Sequence, residues 1–341
     1  RTTSGRMHGL LGMILCQGRG GPNMWIGWQS KALNPPNPPK PDRANIHRFV
    51  MRPEPMFTRP EAFTMSVFLT VGCVILLGSL GLWRGFDIRA DRIERARLLA
   101  YQPLAPALFD PAMVADLPEP AQRYFRFSIA AGTPLYTVAD LAMTGQFSLG
   151  TKDAPNYMDM TATQILAAPH GFIWRMKASK GLMRVSGSDS GKWTRFWLMG
   201  LAPVARMGGT NDHARAAFGR FASEAVFWTP AALLPGPGVT WTAVDATTAR
   251  VTVSDGEMVQ EVDITVDVQG RPVTVEFQRW SNANADKTYR LQPFGGYLSN
   301  FQTFAGFTLP THVAAGNHFG TGAYFPFFVA DVSDVRFPVP N

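Results

Sequence analysis

At 341 residues, 46% hydrophobic and 17% charged, the chain has enough apolar material for one large domain or two ordinary ones. Its formal charge of +7 is uneven: residues 1–64 carry 9 Lys/Arg against 3 Asp/Glu, residues 65–100 carry 5 against 3, and residues 101–341 carry 18 against 19. A near-neutral body has no overall field for a phosphate backbone, which argues against nucleic acid as a partner, and Cys16 and Cys73 alone make neither a disulfide framework nor a cysteine-rich zinc module.

Residues 1–64 read as disordered or as a spurious extension ahead of a start at Met65. NPPNPPKP at Asn34 to Pro41 removes the backbone donors that helix or sheet needs. From Met65 to Trp83 the chain has nineteen residues without a charge, and such a helix rises about 28 Å, close to the thickness of a bilayer core. Residues 65–84 are therefore expected to be a single transmembrane anchor with the lipid bilayer as partner; a buried helix and a cleaved signal peptide are the alternatives. Arg84, Arg89, Arg92, Arg95 and Arg97 follow, interleaved with Asp87, Asp91 and Glu94, and leave the side of the membrane open. Ile88 to Tyr101 has helix-forming composition, with Ile93, Arg97 and Tyr101 recurring every four residues, so residues 85–110 read as a membrane-proximal helix and linker.

Residues 111–341 read as a single antiparallel β-rich domain. A helix is expected over Glu119 to Ile129, with Pro118 or Pro120 in its first turn. The period then drops to two: Leu141, Met143, Gly145, Phe147 and Leu149 alternate with smaller or polar residues. Strands follow at Tyr157 to Leu166, Phe172 to Ala178, Met183 to Val185 and Trp193 to Leu198, with Phe172, Trp174, Met176 and Ala178 on one face. The short spacing favours hairpins over parallel crossovers. Thr210 caps a second helix in which Ala214, Ala217, Phe218, Phe221, Ala222, Ala225 and Val226 recur at three and four residues until Pro230. The sheet resumes at Val239, and Ala249 to Ser254, Met258 to Val268 and Pro272 to Trp280 form a meander. Asp255-Gly256 is its tight-turn signal, with Glu257 widening the loop. Last strands are expected near Asn300 to Phe304 and Phe327 to Phe337.

The fold class is thus α+β, predominantly antiparallel β: nine to eleven strands in a strongly curved sheet or half-barrel with two or three packed helices, preceded by one transmembrane helix. Such a sheet buries its Met and Trp rows and can enclose an apolar ligand.

DLPEPAQRYFR at Asp116 to Arg126, GLAPVARMGGT at Gly200 to Thr210, GRFASEAVFWTPAALLPGPGVTW at Gly219 to Trp241 and QGRPVTVEF at Gln269 to Phe277 occur in order. On these runs the chain resembles the bacterial DUF6544 (also DUF6920) family of uncharacterised proteins over about residues 112–337. The resemblance implies no activity or cofactor. In layout the domain is also similar to LolA/LppX-type lipoprotein carriers, whose half-open barrel holds acyl chains.

Candidate chemistry is sparse. His170, His213, His312 and His318 form no ligand motif, so neither a metal nor another cofactor is expected. No GxSxG elbow occurs, and GSDSGKW at Gly187 to Trp193 lacks phosphate-loop spacing. Arg220 and Glu224 are four apart on one helix face, a structural pair unless Glu224 meets an apolar cavity beside Trp228, where it would serve as an acid or ligand-orienting group. Trp174, Met176, Arg220, Glu224, Trp228 and Tyr297 are the ligand-contact candidates, and a lipid-like molecule is the expected ligand. The alternatives are a structural or interaction module of the cell envelope, and a hydrolase-like enzyme using Glu224.

Overall fold

The computed structural model describes residues 59–339, with side chains from Phe63 onward. The expectation of disorder over residues 1–64 lies outside the described residues except at its end, where α1 (Arg59–Leu99) begins. Two compact units divide between Ser79 and Leu80, and α1 contributes its first half to one and its second half to the other. Over Phe63–Leu99 this helix is long and apolar enough to cross a membrane, and its most apolar window is unburied.

In the second unit α2 (Glu119–Ser128) is followed by β1 (Ala139–Ser148), β2 (Tyr157–Ala167), β3 (Gly171–Lys180), β4 (Met183–Ser190), β5 (Trp193–Leu198) and β6 (Ala202–Gly208). Next come α3 (Asn211–Trp228), β7 (Val239–Ala243), β8 (Thr248–Asp255), β9 (Met258–Val266), β10 (Pro272–Ser281), β11 (Arg290–Phe304), β12 (Phe307–Asn317) and β13 (Phe325–Arg336). Every neighbouring pair is antiparallel, in the order β6-β5-β4-β3-β2-β1-β13-β12-β11-β10-β9-β8-β7. The two meanders join where β1 pairs with β13. Among the described residues β6 and β7 do not pair, so the 13-stranded sheet is curved but open. Two of its strands exceed the sequence expectation. β6 and β12 carry Pro203, Pro310 and Gly316, residues that weaken the strand signal. At the expected tight turn Asp255 pairs with Met258, so Gly256-Glu257 is a two-residue loop, and Glu257 does not widen it.

α3 connects the two edges and lies across the concave face, packed on β10, β9 and β2. Thr210 Oγ1 accepts from His213 N at 3.2 Å at its start. Its small residues let it sit low: a Cβ on Gly219 would come 2.6 Å from Gln260 Oε1 of β9. Tyr124 of α2, fully buried, donates to Val226 O near the end of α3 at 2.5 Å. Arg123 donates to Asp267 O and Ala246 O at 2.6 and 2.9 Å and ties α2 to two loops.

The opposite face of β1–β6 carries the second half of α1. Asp87, Asp91, Glu94 and Leu98 share one helix face by their spacing, and all are buried. Asp87 takes Arg206 at 2.6 Å, Arg195 at 3.3 Å and the Trp197 indole at 2.9 Å. Asp91 accepts from Ser188 Oγ at 2.7 Å, and Glu94 pairs with Lys192 at 2.7 Å. Leu98 completes the row in an apolar cluster with Val138, Ile165, Ala167 and Ile173. The packing row is therefore acidic, and Ile93, which recurs with Arg97 and Tyr101 every four residues, is exposed.

Candidate functional site

Alternation along the strands sets the concave wall. Phe147 of β1, Trp174 of β3, Phe196 of β5, Val275 and Phe277 of β10, Phe294 of β11, and Val313 and Ala315 of β12 all turn inward. Phe227 and Trp228, at the end of α3, close the space against them. The cavity they enclose measures about 120 Å³. Edge-to-face and tilted rings pack its wall: Phe147 against Trp174 at 6.4 Å between centroids, Trp174 against Phe196 at 6.4 Å, and Phe294 against Phe327 at 6.0 Å.

One part of the wall is charged. Arg220, from the middle of α3, sends Nη1 to Asp189 Oδ2 at 2.6 Å and Nε to Glu224 Oε1 at 2.7 Å. Its Nη2 donates to Gln164 Oε1 at 3.3 Å, and Gln164 Nε2 donates to Glu224 Oε2 at 2.5 Å. The guanidinium lies over Phe172 at 4.4 Å and Trp174 at 5.2 Å. Burial works against the charge of Arg220, but the Glu224 and Asp189 carboxylates outweigh it and hold its pKa above the usual arginine value.

The network continues away from the cavity. Thr194 Oγ1 donates to Asp189 Oδ1 and lies 3.2 Å from His213 Nε2. A hydroxyl has one proton to give, so the imidazole supplies the proton of the second bond from Nε2. Burial pushes the pKa of His213 down, against the opposing charge of Asp189.

Of the six residues singled out from sequence, Trp174, Arg220, Glu224 and Trp228 line this cavity. Met176 is buried on the same inward row of β3 but is not part of the lining. Tyr297 pairs with Thr274, one position off the inward row of Val275 and Gly296, and is exposed against Phe319 and Tyr324. Both Glu224 oxygens are engaged, by Arg220 and Gln164. Ser223, the one hydroxyl side chain among the described lining residues, donates to Arg220 O at 2.7 Å. Gln164 and Asp189 were missed from the sequence. Both occupy inward positions of strands, where the alternating pattern sets a polar residue among Ala162, Leu166 and Val185. Of the unassigned histidines, His312 on β12 pairs with Asp331 of β13 at 2.7 Å.

No curated protein matches the chain. Two solved structures are similar at low score. One is a LolA superfamily protein from Nitrosomonas europaea, at 12% identity and a TM-score of 0.33, covering 64% of this chain and 92% of that one. The other is a domain described as an outer membrane lipoprotein-sorting protein from Vibrio parahaemolyticus, at 11% identity and a TM-score of 0.30, covering 59% and 85%. The model of a family of unknown function, DUF6544, matches residues 107–330, and the chain belongs to that family.

Proposed function

We propose that the domain binds an apolar ligand on the concave face of its sheet, under the end of α3, and that Met65 to Trp83 anchors it to a membrane as a single span. The observation that carries this reading is the aromatic cavity itself. Open space of about 120 Å³ lies inside a wall of Phe, Trp, Val and Ala side chains. Unfilled space in a core costs stability, and apolar space of roughly 150 Å³ binds benzene-sized molecules rather than water. The cavity is smaller than the roughly 300–1,000 Å³ of pockets that swallow a drug-sized ligand. Its occupant is therefore a benzene-sized group or a short stretch of a longer chain.

Trp174 and Trp228 are the proposed apolar contacts. Arg220 and Glu224 form the polar end of the site and fix the position of α3. The long apolar helix supports the membrane reading by length and composition.

Native mass spectrometry of the full chain, purified from bacterial cells, tests the proposal when combined with lipid extraction. The expected result is a one-to-one apolar adduct that is depleted in Ala315→Phe, where a ring fills the space. No adduct, together with no uptake of short or long fluorescent fatty acids, would remove the reading.

A further inference from the structure

The uncharged run of the chain ends inside the compact unit that holds the sheet, at Leu80 to Trp83. The Trp83 ring meets Trp197 of β5 edge-on at 5.6 Å between centroids, and the Arg206 guanidinium of β6 lies over it at 4.4 Å. Arg84 reaches the turn between β5 and β6, where a Cβ on Gly200 would come 2.8 Å from its Nη1. Farther along α1, Arg97 donates to His170 O at 3.1 Å, in the turn between β2 and β3. That turn lies at the opposite end of these antiparallel strands. The second half of α1 therefore runs along the strands, and the uncharged run ends beside the β3–β4 and β5–β6 turns.

Those two turns are apolar at their tips. Leu182, in the two-residue loop between β3 and β4, is 91% exposed, and Met199 and Leu201, between β5 and β6, are 54% and 53% exposed. Met199 N donates to Arg184 O at 2.8 Å, which holds the tips side by side. Leu82 and Phe86 of α1 are exposed as well. Single exposed apolar residues are ordinary, but these come from α1 and from two turns at the same end of the sheet.

The charge around the tips is of one sign. From Gly171 to Ser188 the β3–β4 hairpin carries Arg175, Lys177, Lys180 and Arg184 and no carboxylate, in a body with 18 Lys/Arg against 19 Asp/Glu over residues 101–341. Lys180 and Arg184 stand two residues to either side of Leu182. An apolar tip between cations suits the boundary of an anionic bilayer, where the side chain enters the acyl region and the cations meet phosphates.

The geometry points to a second membrane contact: Leu182, Met199 and Leu201 dip about 5–10 Å into an anionic bilayer surface, with Lys180 and Arg184 at its phosphates. This rests on the reading that Met65 to Trp83 spans that bilayer, and it assigns the end of the domain that faces the lipid.

Single fluorescent labels in the full chain, reconstituted into vesicles of phosphatidylcholine and phosphatidylglycerol, test this contact. An NBD group is attached in turn at the native Cys73, at Leu182→Cys, at Leu201→Cys and at Val268→Cys, with every other cysteine changed to serine. Val268, 80% exposed in the turn after β9, lies at the far end of the antiparallel strands and is the control. The expected result at 182 and 201 is quenching by doxyl-labelled lipid and protection from aqueous iodide, with the reverse at 268. Lys180→Gln and Arg184→Gln should each shift the equilibrium at Leu182→Cys about fivefold toward iodide access. Iodide access at 182 and 201 equal to that at 268, with Cys73 quenched by lipid, would overturn the contact and leave the anchor intact. Unchanged quenching in the two charge variants would overturn the assignment to anionic lipid. No lipid quenching at Cys73 would remove the anchor, and this contact with it.

Discussion

Arg220 Nη1 on α3 and Asp189 Oδ2 on β4 lie 2.6 Å apart, joined across 31 residues of sequence and across the concave face of the sheet. With Glu224 in the same cluster, one cation stands between two carboxylates that are 22% and 14% exposed. Removing the cation leaves both carboxylates in a poorly hydrated place without a counter-charge. Arg220→Met is therefore expected to destabilise the domain by about 3–5 kcal/mol. Adding Asp189→Asn and Glu224→Gln to it should recover most of that loss, because no buried charge is then unmatched. Urea denaturation of the native chain and the two variants measures both. Equal stability of Arg220→Met and the native chain would show that the cluster is hydrated and loosely held.

Acid stability should depend on α1. Burial raises the pKa of Asp87, but bonds from Arg206 and Trp197 and the charges of Arg206 and Arg195 outweigh it and hold it below 3.8. Glu94 is likewise held below 4.5, with burial overcome by Arg97 and Lys192. A depressed carboxylate contributes stability that is full above its unfolded pKa and is lost as the pH falls through its folded one. Asp91 has the opposite sign, because burial wins over Ser188 and Arg175 and raises its pKa. Its contribution is full at low pH and is lost as pH rises through the folded value. Asp87→Asn should lower the melting temperature at neutral pH and flatten the fall below pH 4. A parallel downward shift of the whole profile would rule out this linkage.

His213 gives a second pH signature. Its pKa is held below 6.5 by burial, so it stays neutral in the folded chain where the unfolded chain begins to protonate. Its contribution is present above pH 6.5 and is lost as the pH drops through the lower folded value. An NMR titration of its ring protons should show a midpoint below 6.5, and His213→Gln should flatten the stability profile in that window. A midpoint at or above 6.5 would contradict the buried, neutral imidazole.

Two glycines should respond differently to alanine. Gly145 of β1 has φ +151, and a Cβ there would strike the carbonyl of Val329 on β13, which is backbone and cannot yield. Gly219 of α3 would crowd the tip of the Gln260 side chain and touch Phe277 at an ordinary 3.5 Å. Gly145→Ala is expected to cost about 1–3 kcal/mol or more, and Gly219→Ala clearly less, by thermal unfolding. The reverse order would mean that β1 and β13 are less tightly apposed than they stand here.

Much of the local structure was legible in residues 101–341. Alternation marked β1, β2, β3, β5, β9 and β10, because a strand with one buried face must place apolar residues at every second position. The three-and-four spacing after Thr210 marked α3 for the same reason at a different period. β6 and β12 were hidden because prolines and glycines interrupt their pattern, and backbone pairing with neighbours fixed far away in sequence carries them through. The arginines and acids after Trp83 read as membrane-flanking charge. The structure turns Asp87, Asp91 and Glu94 into the packing face of a helix, since Arg195, Arg206, Lys192 and Ser188 of later strands supply their partners.

The sequence by itself determined an antiparallel β-rich domain with an apolar helix ahead of it, because periodicity and the absence of charge are local properties. It also offered Trp174, Met176, Arg220, Glu224, Trp228 and Tyr297 as ligand contacts. Only the tertiary structure decided that Trp174, Arg220, Glu224 and Trp228 share one wall with Asp189, that Gln164 bonds to Arg220 and Glu224 there, and that Tyr297 faces the other way. Pairing β1 with β13 curves both meanders toward α3, and a one-residue difference in strand register is enough to send a side chain to the opposite face.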